Sequence, residues 1–223
     1  MDDDLDKALV DLESTQRALT ALAKDAWLAY KGAFYAMDEL AVASINRTVS
    51  LNAAFCSLMR ADNFLAAAHL VRLQLDTALR FSAAWLVESP DEFVNRVFAG
   101  ENIRKIKDKN GELMRDAYLV DQLSKQWPWI YKVYQETSGY IHLSCKHIYN
   151  VFCPSNLDNN EIRMVVSPSS PHIPCSIKLE ATYAMLHITE IIQNYVSGWI
   201  MTKLHPETVR SNTTSGNSPD KKC

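Results

Sequence analysis

Apolar residues recur at three- and four-residue steps through most of the chain, a period that predicts α-helix. Leu5, Leu9, Leu12, Leu19 and Leu22 follow it from an acidic start at Asp2, Asp3 and Asp4, where negative charge favours a helix N-terminus. The pattern runs on through Trp27 and Tyr30 to Gly32, and a second helix is expected from about Phe34 to Met59. Ala61-Asp62-Asn63 offers a capping residue for a third. Phe64, Ala68, Val71, Leu75, Ala78, Leu79, Ser82 and Leu86 trace one face of it until Ser89-Pro90 stops the run. Residues 91–124 read as two shorter helices, with Asp91 as a cap and Asn110-Gly111 as punctuation. Trp127-Pro128 opens another helix, through Ile130, Val133, Tyr134, Ile141 and Cys145.

The texture then changes. His147 to Phe152 and Glu161 to Val166 are short and rich in β-branched and aromatic residues, with a turn cluster between them. They predict a small β-hairpin or an irregular insertion over about 147–175. A last long helix is expected from about Ser176 to Lys203, with Met185, Ile188, Ile192, Tyr195 and Trp199 as its buried stripe. From His205 to Cys223 apolar residues all but vanish, which predicts a disordered tail. The expected architecture is all-α, a single helical domain over 1–204 with one small non-helical excursion.

Composition narrows the function classes. In 223 residues, 23 Lys+Arg against 26 Asp+Glu give a formal net charge of -3, so a strongly basic nucleic-acid binder is excluded and any such contact needs a local patch. Arg104, Lys105, Lys107 and Lys109 form one modest basic cluster. Only six glycines occur, and neither of the glycine-rich phosphate-loop signatures is present. The N-terminus lacks the apolar stretch of a secretory signal, and the longest apolar runs fall short of a bilayer span. Five cysteines without a CxxC pair suit a reduced, cytoplasmic protein. Cys145, Cys153, His172 and Cys175 match no finger spacing, so buried free cysteines are expected there rather than a metal centre.

Two stripes carry chemistry. Arg72, Asp76 and Arg80 lie four apart among leucines. They form either an ion ladder locking helices together or an arginine pair aimed at phosphate, with Asp76 orienting one guanidinium. Tyr134, Ser138 and His142, again four apart, present a phenol, a hydroxyl and an imidazole, groups able to exchange protons or bind a ligand. Gly139 beside Ser138 points to close packing or close ligand approach.

The segment Leu70 to Phe81 resembles an L-x-R-x-x-x-E-x-x-x-R helix, with Asp76 in place of the glutamate, and Tyr134 to Ser144 resembles a Y-x-x-x-S-x-x-x-H-x-S helix. Together, over about 33–202, they resemble a bacterial all-helical family related to the HEPN superfamily. The resemblance implies a HEPN-like bundle that homodimerises and acts in antiviral defence or toxin-antitoxin biology. Its partners would be an RNA substrate or a cognate protein. It implies a metal-independent RNase needing no cofactor, with His142, Arg72, Arg80, Tyr134, Ser138 and Asp76 as the site. Members with that activity use an Arg-x4–6-His motif. No arginine stands in that window before His142, and Arg60 and His69 are too widely spaced, so the arginine would come from another helix, as Arg72 or Arg80. The other function open to the chain is a non-catalytic interaction module in which the same six residues are a structural network.

Overall fold

The computed structural model describes residues 3–142, 144–156 and 161–205. Among them eight α-helices carry the fold: α1 (Asp3–Leu28), α2 (Ala36–Arg60), α3 (Phe64–Ser82), α4 (Pro90–Phe98), α5 (Asp116–Ser124), α6 (Trp129–Ile141), α7 (Cys145–Val151) and α8 (Cys175–Leu204). Strands β1 (Phe152–Asn156) and β2 (Glu161–Met164) pair antiparallel, with Phe152 opposite Met164. The protein is an all-α bundle, and no helix of the described residues is long and apolar enough to cross a membrane. The tail expected to be disordered lies, from residue 206 on, outside the described residues.

The leucine, alanine and isoleucine stripes make the core. α1 packs on α2 and α8, α3 packs on α2 and α8, and α5 and α6 cover the remaining side of α3. Leu9, Leu12, Phe55, Leu75, Met185 and Ile192 are fully buried between them. At one end of the bundle the core encloses a charge pair. Lys203 Nζ donates to both carboxylate oxygens of Asp38 at 3.0 Å and to the Ala26 carbonyl at 2.8 Å, and Trp199 Nε1 donates to Asp38 at 2.7 Å. Asp38 also accepts the Tyr35 N–H, closing a capping box that starts α2.

Several helix ends differ from the pattern's expectation, each for a local reason. α1 stops at Leu28, because Tyr30 and Lys31 take left-handed backbone (φ 51° and 58°) in a tight turn. α3 ends at Ser82 and passes into a 3-10 turn over Ala83–Trp85, so Leu86 lies beyond the helix. Asp91 does not cap α4: Ser89 accepts the Glu92 N–H at 3.3 Å, and Asp91 reaches across to accept the Met37 N–H at 3.2 Å. α6 stops at Ile141 instead of running to Cys145, and α7 occupies residues read as part of the insertion. The break comes from Ser144. Its Oγ donates to the Gly139 carbonyl at the end of α6 and accepts the Lys146 N–H, while its own N–H donates to His147 Nδ1 at 3.2 Å. Ser144 and His147 thus form a reciprocal cap, with histidine in the place glutamate usually takes.

Candidate functional site

The expected constellation divides in two. Arg72, Asp76, Arg80 and Tyr134 come together because α3 packs directly on α6. The Arg72 guanidinium carbon sits 4.3 Å from the centroid of the Tyr134 ring, a cation–π stack. Arg80 Nε donates to Asp76 at 3.2 Å. The residue that completes the group is Asp116, at the first turn of α5. It takes a hydrogen bond from Arg80 Nη2 and lies 3.8 Å from Arg72 Nη2. Two guanidinium charges therefore face two carboxylates, and three helices are tied at one point. Side-chain exposure is 13% for Arg72, 22% for Arg80, 27% for Asp116 and 35% for Asp76, so the group sits at the edge of the core. One nitrogen of each guanidinium, Nη1, is buried with no hydrogen-bond partner among the described residues.

Ser138 and His142 do not join this group in the way the four-residue spacing suggested. Ser138 Oγ donates to the Tyr134 carbonyl of its own helix at 2.6 Å. His142 falls past the end of α6, in extended backbone (φ -110°, ψ 146°), and its side chain is exposed. Because α6 ends at Ile141 and Ser144 caps the next helix, the four-residue spacing no longer reaches His142. Close packing at Gly139 comes from the Lys146 stem: a Cβ there would meet it at 3.2 Å.

A second group, not anticipated from the sequence, lies where α3, α6 and α7 meet. The rings of His69 and His147 are 6.1 Å apart, and Tyr140 is 6.4 Å from each. Lys146 Nζ lies 4.8 Å from the Tyr140 centroid and is paired with Glu136. Burial raises the Tyr140 phenol above its ordinary value. Backbone bonds fix the two imidazoles in opposite senses. His69 Nδ1 is 2.7 Å from the Leu65 carbonyl, which only accepts, so in the neutral ring that nitrogen carries the proton. His147 Nδ1 accepts a backbone N–H, so in the neutral ring the proton is on Nε2. A divalent metal would need a bare nitrogen from both. Among the described residues, no three histidines, cysteines or acidic residues converge closely enough to hold a metal ion. The sequence signals for this pair were present: His69 stands one turn before Arg72, and Ser144-x-x-His147 has the spacing of a capping box.

No protein-family model matches the chain, and no curated protein or solved structure matches it either.

Proposed function

We propose that this protein is a helical interaction module and that Arg72, Asp76, Arg80 and Tyr134 are its structural brace. The observation that carries this reading is that the charges of the group are already paired. Asp76 and Asp116 neutralise both guanidiniums, Tyr134 covers one of them, and the exposed His142 lies outside the group. A phosphate arriving there would have to displace two carboxylates already in place.

A second reading is favoured by the His69–His147 pair. It keeps the resemblance to the HEPN superfamily and with it a cytoplasmic, homodimeric, metal-independent RNase of defence or toxin-antitoxin systems. The acid and base would move from His142 to His147 and His69. His69 Nε2 would take the proton of a ribose 2′-hydroxyl as that oxygen bonds to phosphorus, and His147, once protonated to the imidazolium at the expense of the bond it accepts from the Ser144 N–H, would protonate the departing 5′-oxygen from Nε2. Incubating the protein with labelled RNA in EDTA separates the two readings. The module leaves RNA intact. The RNase produces 2′,3′-cyclic phosphate ends, and His147→Gln, which keeps an acceptor for the Ser144 N–H, lowers its rate about 10²-fold or more.

A further inference from the structure

A cleft of about 240 Å³ opens between the start of α6 and the middle of α8, lined by Trp127, Trp129, His187, Glu190, Ile191 and Asn194. That is below the roughly 300–1,000 Å³ of small-molecule sites and suits one inserted side chain. Its walls are aromatic and held from behind. Trp127 packs on Tyr195 at 5.9 Å, and Tyr195 is wedged against Trp85 at 4.8 Å and Phe81 at 6.4 Å. Opposite, Trp129 lies 6.1 Å from His187, which stacks on Tyr183 at 6.2 Å. The buried Ile191 forms an apolar floor.

At the rim stand the Glu190 carboxylate, which pairs with His187 Nδ1 at 2.8 Å, and the exposed Asn194 one turn further on. The nearest cation along α6, Lys132, is held by Glu180 outside the cleft. The lining thus joins two indole rings to a carboxylate. Ring faces attract cations, and a carboxylate accepts the paired N–H groups of a guanidinium. A planar guanidinium stacks on an indole while forking onto an acid, which an ammonium does not do. An aliphatic side chain would fill the floor but make no use of the Glu190 carboxylate at the rim.

We propose that this cleft receives an arginine side chain from a partner protein. The proposal rests on the interaction-module reading and gives the module its recognition chemistry: tryptophan walls and an arginine anchor are the residue types that dominate binding energy at protein interfaces.

The test is a titration of the full chain, followed by the indole N–H resonances, with acetyl-arginine methylamide, its citrulline counterpart and acetyl-leucine methylamide. These blocked probes report the side chain alone. The arginine probe is expected to shift the Trp127 and Trp129 signals saturably, binding about five-fold or more tighter than citrulline. Glu190→Gln, an exposed change that leaves the core alone, is expected to remove most of that preference. Trp129→Ala should abolish saturation. Equal shifts with the leucine probe, or an unchanged preference in Glu190→Gln, would overturn the proposal. So would free L-arginine binding more than about ten-fold tighter than the blocked probe, since its charged termini would then mark a free amino-acid site. None of these results bears on whether the arginines of α3 are a brace.

Discussion

Two of the bundle's groups of paired charges are built to different standards. Asp38 and Lys203 are fully sealed, with both side chains at 0% exposure. Every donor and acceptor in view is used, since Trp199, Tyr35 and the Ala26 carbonyl complete the pair. The Arg72–Asp76–Arg80–Asp116 group is shallower, carries four charges, and leaves two guanidinium nitrogens without partners among the described residues. A sealed pair is weak as a net source of stability, yet costly to break, because the surviving charge has no water to turn to. A cluster at the core edge tolerates loss better, since its side chains keep 13–35% of their exposure and water reaches part of the group left behind. Depth, and not the number of ion pairs, sets the penalty.

The largest effect is therefore expected at the sealed pair. Asp38→Ala strands the Lys203 ammonium and removes the α2 cap, and urea denaturation should show a loss of about 3–5 kcal/mol. A loss under about 1 kcal/mol would mean that Lys203 finds another way to water, and the contrast in depth would fail.

A smaller effect, read through pH, is expected at Asp108 in the turn before α5. Burial would raise its carboxyl. The Tyr118 hydroxyl at 2.7 Å and the N–H groups of Glu112 at 2.8 Å and Asn110 at 2.9 Å outweigh that and hold it below the usual aspartate range. The same contact pushes the Tyr118 phenol up to about 12. A carboxyl depressed in the folded state lends stability that is present above its unfolded value, about 3.9, and fades as pH falls through its folded value. Asp108→Asn should therefore flatten the fall of stability below about pH 4, measured as melting temperature against pH. A curve parallel to that of the wild type would remove Asp108 from the account.

The bundle was legible in the sequence because its helices are amphipathic and its stripes are long. The α3 stripe from Phe64 to Ser82 and the α8 stripe from Met185 to Trp199 both face the core. The Ser144-x-x-His147 cap is legible in the spacing, but contacts between distant elements are not. Asp116 shares no periodicity with α3, so nothing in the spacing linked it to Arg72 and Arg80. The four-residue spacing of Tyr134, Ser138 and His142 holds only along one continuous helix, and Ser144 breaks that continuity by capping α7. His69 and His147 lie far apart along the chain and meet only through the packing of α3 against α6 and the turn into α7.

If the charged group of α3 braces helices instead of serving a substrate, its members are energetically coupled. A double-mutant cycle on Arg80→Ala and Asp116→Ala, followed by urea denaturation, tests it most directly. A brace predicts that each change destabilises the fold and that the pair is coupled by about 1 kcal/mol or more, because both belong to one hydrogen-bonded network. Two changes that leave stability intact and add within about 0.3–0.5 kcal/mol would contradict it, and would return Arg72, Asp76 and Arg80 to the role of a site kept for a ligand.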